Sequence, residues 1–115
     1  MSASKAKGTT AETAVVNYLR TWFPHVERRA LTGNRDRGDI AGIPGVVIEV
    51  KRCAKMALGE WMKEAETEAQ NASAAVWMVW HHRRGKGNPA DWYVTMPGEV
   101  AALLLAEHYA KERAA

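Results

Sequence analysis

The chain has a single cysteine, Cys53, so it forms no internal disulfide, which points to a reducing, cytoplasmic compartment. Cys53 reads as a packed small residue rather than a nucleophile. A zinc centre is excluded by spacing: His81 and His82 are neighbours that point opposite ways on a strand, and His25 and His108 stand alone. No apolar run approaches the roughly 20 residues of a membrane span. The opening segment Met1 to Lys7 lacks a secretory apolar core. There is no glycine-rich nucleotide loop and no nucleophile elbow, which removes the commonest nucleotide-binding and serine-hydrolase chemistries. Repeats, linkers and composition breaks are also missing, so residues 1–115 read as one domain.

What remains is ordinary in bulk and uneven in detail. An apolar fraction of 47% and a charged fraction of 25% suit a soluble domain large enough for a core. The net charge is only +3, with a pI near 9.2. The basic residues cluster, however. Arg28, Arg29, Arg35, Arg37, Arg52 and Lys55 form one group in sequence, and His82, Arg83, Arg84 and Lys86 form another. Such groups suit a polyanionic partner.

Apolar spacing predicts a helix over residues 9–23, stopped by Pro24, then a strand at 26–31 and a polar loop at 32–38. A hairpin is expected over 39–51. A helix rich in Ala, Glu, Lys and Met follows at 55–72, with Glu64, Glu66 and Glu68 on its solvated face. Residues 74–81 read as an interior strand, 83–90 as a loop and 92–96 as a strand. Trp77 and Trp80 are expected in core or interface packing. A last helix at 98–113 is expected to turn Val100 to Leu105 inward.

The segment from Asp39 to Lys51 is the one most suggestive of chemistry. Val46, Val47, Ile48 and Val50 make a strand built for burial. Charges in such strands are costly unless paired or metal-bound. Glu49 and Lys51 are two apart and therefore share a face. The position of Asp39 depends on the turn at Pro44-Gly45. A three-residue loop places Asp39 opposite Glu49, with Cβ atoms roughly 5 Å apart. A two-residue loop pairs it with Val50 instead and turns it to the other face. A bulge restores the facing. Two carboxylates so close repel unless a cation joins them, and a hard ion such as Mg2+ is the natural partner. On an ordinary sheet the same residues would make only a Glu49–Lys51 surface ion pair.

The element order α-β-β-β-α-β-β-α, with an acid opening the second strand and Glu-x-Lys in the third, resembles the PD-(D/E)XK nuclease superfamily. Asp39 matches the first acid, Glu49 the second and Lys51 the lysine, while Gly38 stands where the motif name has proline. The small size and the initial helix carrying Glu12 are similar to Holliday junction resolvases, including phage-type ones. So are Glu60-Trp61 through Gln70, His82 to Gly87 and Trp92 to Gly98. The resemblance implies a restriction-endonuclease-like α/β core, a central mixed sheet flanked by helices.

It further implies metal-dependent cleavage of DNA in the cytoplasm of a bacterial or phage-infected cell. Mg2+, with Mn2+ able to substitute, would sit on Asp39, Glu49 and the Val50 carbonyl. The products would carry 5′-phosphate and 3′-hydroxyl ends. A four-way junction has two symmetric strands to cut, which calls for a homodimer. Glu12 becomes a supporting ligand under this resemblance, although Thr9-x-x-Glu12 also reads as a capping box. Gln70 becomes a supporting polar residue near the site, or a solvated one. A nuclease acting on flaps, nicks or duplex DNA, and a non-catalytic DNA-binding protein of the same fold, are the other functions the residues allow.

Overall fold

The computed structural model describes residues 3–29 and 37–114, with side chains from residue 6 onward. Helix α1 (Ala3–Leu19) leads into strand β1 (Glu27–Arg28), β2 (Ile40–Ala41) and β3 (Val46–Lys51). Helix α2 (Leu58–Ala72) and strand β4 (Val76–His81) follow. A 3-10 turn (Pro89–Asp91), β5 (Tyr93–Thr95) and helix α3 (Gly98–Ala114) complete the chain. Among the described residues the architecture is α/β with three α-helices, and none of these helices is long and apolar enough to cross a membrane.

β3 and β4 pair in parallel, from Val46↔Val76 to Lys51↔His81, and β5 adds antiparallel to β4. The three-stranded sheet is therefore mixed, with β4 in the middle. Parallel pairing requires a crossover, which α2 supplies. One face of the sheet, with Ile48 and Val50 of β3, packs on Val15, Val16 and Leu19 of α1. On the other face Val79 of β4 packs on Trp61 and Ala65 of α2. α2 ends at Ser73, whose left-handed backbone (φ 52°) lets its N–H and that of Ala74 reach the last helical carbonyls.

Several expectations need correction. α1 begins at Ala3, not residue 9, because Ala and Lys favour continuing the helix upstream. It ends at Leu19, and the N–H groups of Trp22 and Phe23 both bond to the Leu19 carbonyl in a closing turn. Pro24 disfavours helical dihedrals at the residue before it, and Trp22 and Phe23 beyond the helix end are exposed. Cys53 is exposed in the turn after β3 rather than packed. In α3 only Val100 is buried, and Leu103 to Leu105 do not face inward. The end of the strand expected at 26–31, most of the loop at 32–38, and Arg35 lie outside the described residues.

The hairpin expected over 39–51 takes neither simple register. Val46 N–H donates to Ile43 C=O (3.2 Å), closing a two-residue turn at Pro44-Gly45 with Gly45 at φ +77°. Farther along, Asp39 N–H donates to Ile48 C=O (3.1 Å). From turn to this bond the first arm spends four residues and the second only two. The surplus is Ile40–Ala41, which leaves β3 and pairs with Arg28 and Glu27 of β1. Gly42 makes the detour possible. Its φ is +97°, and a Cβ there would lie 2.3 Å from the His25 carbonyl oxygen.

Candidate metal and phosphate site

Asp39 enters the site through the backbone of β3. Its Oδ2 accepts the Val50 N–H at 2.8 Å. In a strand the N–H and C=O of one residue point to the same edge. The Val50 carbonyl therefore faces the edge that Asp39 covers, away from β4, which bonds instead to Gly45 and Lys51. Asp39 is held between two strands, since its own carbonyl accepts Arg29 N–H at 2.8 Å.

Glu49 points into the sheet face covered by α2 and is only 3% exposed. Lys51 lies on the same face, with Nζ 3.3 Å from Glu49 Oε1 and 2.8 Å from Glu64 Oε2. The third acid is Glu68 of α2, 1% exposed and among the largest fully buried side chains of the protein. Carboxylate oxygens of Glu49, Glu64 and Glu68 all lie within 4.8 Å of one another. The expectation that Glu68 belongs to a solvated helix face is thus overturned, whereas Glu64 and Glu66 are exposed as expected. Glu68 occupies the stripe of Trp61, Ala65 and Ala69, the side of α2 that docks on the sheet, and Glu64 sits at its rim against Lys51. That stripe is readable in the sequence by helical spacing from Trp61. Glu60, Glu64 and Glu66 are the exposed acids of this helix.

The electrostatics follow from this crowding. Burial pushes the Glu49 carboxyl up to about 11, helped by a hydrogen bond with Glu68 and the charges of Asp39 and Glu68, and opposed by Lys51. Glu49 Oε2 meets no donor apart from the proton the two carboxyls share. The crowding of Glu49 and Glu68 favours a proton on Glu49, and the charge of Lys51 opposes it. Burial disfavours the charge on Lys51, but its bond to Glu64 and the charges of Glu49 and Glu64 leave the ammonium more basic than usual. An all-oxygen set of buried acids beside a carbonyl suits a hard divalent cation. Such an ion would satisfy the Glu49 oxygen and remove the repulsion that holds the proton on.

Glu12 does not cap a helix. With α1 starting at Ala3, Thr9 lies inside the helix, its carbonyl accepting the Thr13 hydroxyl. Glu12 Oε1 lies 3.7 Å from Arg28 Nε. Burial raises its pKa, against the opposing charges of Arg28 and Lys51, so it stands in electrostatic reach of the site. Gln70 is exposed, and the α2 residues in the acidic cluster are Glu64 and Glu68.

The basic residues divide by location. Arg52, His82 and Lys86 line one groove of about 310 Å³, together with Thr10, Ala14 and Trp92. Burial and the charge of Arg52 lower the His82 pKa, against a hydrogen bond to the Lys86 backbone. Arg29 and Arg37 line a second groove of about 390 Å³ beside the Ile43–Val46 turn. Arg28 is engaged by Glu12. Arg83 is occupied by the Tyr93 ring at 4.3 Å and by the Asp91 carbonyl at 2.8 Å. Lys55 and Arg84 are exposed. Trp61 and Trp92 are buried, the latter donating to the Lys86 carbonyl, while Trp77 and Trp80 are partly buried against the two core clusters.

The chain was compared with protein families, curated proteins and solved structures. No family model matches it, no curated protein matches it and no solved structure matches it.

Proposed function

We propose that the chain is a metal-dependent endonuclease of the PD-(D/E)XK type that resolves four-way DNA junctions as a homodimer. The observation that carries this reading is the acidic cluster at one end of β3: Glu49 lies beside Lys51 and near Glu68 of α2, and Asp39, bonded to the Val50 N–H, exerts its charge on Glu49. An ordinary surface ion pair needs neither a buried acid pair nor a third acid across the strand edge.

Asp39, Glu49 and the Val50 carbonyl would hold Mg2+ or Mn2+, with Glu68 as a further oxygen donor. The chemistry such an ion supplies is polarisation of the scissile phosphate and a lowered pKa for the attacking water. Asp39 is fixed for its part by the Val50 N–H, so the carboxylate is positioned before substrate arrives. Lys51 is held by Glu64 and Glu49 and stays protonated at neutral pH. It therefore acts as a cation and hydrogen-bond donor, orienting water or stabilising charge on phosphorus, and not as a general base. Arg52, Lys86, Arg29 and Arg37 would take backbone phosphates on either side, contacts that read shape rather than sequence. Glu12 supports the site from α1 through Arg28 and its field at Lys51.

The test is cleavage of four-way junction, flap, nicked, duplex and single-stranded DNA, with Mg2+ and with chelator. Paired symmetric nicks in the junction are expected, lost in chelator and in Asp39→Asn, and reduced at least about 100-fold in Lys51→Ala. No metal-dependent cutting of any substrate refutes the enzyme. Equal cutting of linear duplex and junction refutes the resolvase while leaving the nuclease.

A further inference from the structure

α3 is 17 residues long, yet only Val100 is buried and every residue from Ala102 to Ala114 is exposed. Leu103, Leu104, Leu105 and Tyr109 are 41%, 38%, 68% and 62% exposed. Leu103, Leu105 and Tyr109, which lie on or beside one side of the helix, present on the order of 300 Å² of surface, within the range of the largest patches on monomers, which are often functional, while Leu104 lies on the opposite side. A helix of this length docked only by its first turn is marginal in water. Both facts call for a partner along α3.

The arrangement on the helix points to a second copy of the same chain. At 3.6 residues per turn, Glu99, Ala102, Ala106, Ala110 and Arg113 fall within about 80° of one another. Leu103 borders this strip on one side, and Tyr109 with Leu105 on the other. The strip is matched about Ala106: an acid stands seven residues before it, a base seven residues after, and an alanine four residues to each side. When two such helices lie antiparallel with a two-fold axis at Ala106, Glu99 comes level with Arg113 of the second copy, and does so twice. Ala102 comes level with Ala110, and Leu103 with Tyr109. Three alanines at the contact let the helix axes approach closely. Self-complementarity of this kind is what an isologous interface requires. An unrelated partner would need no such matching. We infer that α3 is the self-association helix of the protein, pairing antiparallel with α3 of a second copy around Ala106.

This holds whatever the acidic site does, because association is read without DNA or metal. Sedimentation velocity and light scattering on the full chain are expected to show a dimer at micromolar concentration. Ala106→Glu sets two like charges at the axis and is expected to weaken association at least about tenfold. Ala106 is exposed in the single chain, so near-UV circular dichroism should stay unchanged and separate lost association from lost fold. Glu99→Arg and Arg113→Glu should each weaken the dimer about three- to tenfold, and the double reversal should restore it. A monomer at high micromolar concentration, a dimer indifferent to Ala106→Glu, or a double reversal as weak as the singles would overturn the inference.

Discussion

Replacing Glu49 by glutamine tests the electrostatics on which the site rests. Glu49 ionises near 4.5 in the unfolded chain, while burial, Glu68 and Asp39 push it up to about 11 in the folded one. Between those values the folded protein holds a proton that the unfolded chain has released. Stability from this group is therefore fully present below pH 4.5 and is lost as pH rises toward 11. One such proton costs about 1.4 kcal/mol per pH unit, so about 2.7 kcal/mol between pH 6 and pH 8. An unfolding entropy of about 2.1 cal/mol/K per residue over 115 residues converts this to about 11 °C in Tm. Glutamine keeps the shape, does not ionise, and donates a hydrogen bond to Glu68. The assay is thermal unfolding by circular dichroism from pH 6 to pH 8 in chelator. The natural protein should lose about 11 °C more than Glu49→Gln across that span. Adding Mg2+ at pH 8 should close most of the gap, since a cation favours the ionised pair. Parallel pH profiles for the two proteins would refute the reasoning.

Other expectations follow from single contacts. Asp39→Ala leaves the Val50 N–H without its acceptor at a strand edge and should cost about 1–3 kcal/mol in chemical denaturation, whereas Asp39→Asn keeps an acceptor and should cost much less. Equal losses in the two variants would mean that the bond contributes little. Gly42→Ala combines a positive φ with a Cβ at 2.3 Å from the His25 carbonyl and should destabilise by more than about 2 kcal/mol. Gly45→Ala, with positive φ but open space around it, should cost about half as much. Arg52→Ala with Lys86→Ala should weaken DNA binding and reduce the slope of log affinity against log salt by about 2, whereas Arg83→Ala should leave that slope unchanged because Arg83 is engaged by Tyr93 and Asp91.

Pattern alone reveals the pairing of Glu49 with Lys51, because the strand repeat of two is set by backbone geometry and holds in any fold. It does not place Asp39. The turn at Pro44-Gly45 is readable, but Ile40–Ala41 departs to pair with Glu27 and Arg28, a choice made by Gly42 passing close to the His25 carbonyl. No local preference reports such a tertiary contact. Glu68 is a different kind of miss. Its spacing from Trp61 and Ala65 was available, and a run of four glutamates between residues 60 and 68 hid the one that belongs to the apolar stripe. In α3 the apolar run was visible and its burial did not follow, since burial needs a surface to pack against and the described chain offers one only at Val100.

Two departures from apolar pattern, made independently, coincide in space. β3 is otherwise valine and isoleucine through its buried stretch, and position 49 could hold another valine at no cost to the sheet. The docking stripe of α2 is otherwise tryptophan and alanine, and position 68 could hold another small apolar residue. Each glutamate alone is a burden on stability, and facing each other they are a larger one, because the second charge raises the cost of the first. Scattered polar errors in a core would not meet within 4.8 Å across a helix–sheet interface, beside a lysine and within the field of a third acid. A cation relieves all of these costs at once. The electrostatic cost of this arrangement is thus the physical reason for proposing it as a binding site, and the pH dependence of Glu49→Gln measures that cost directly.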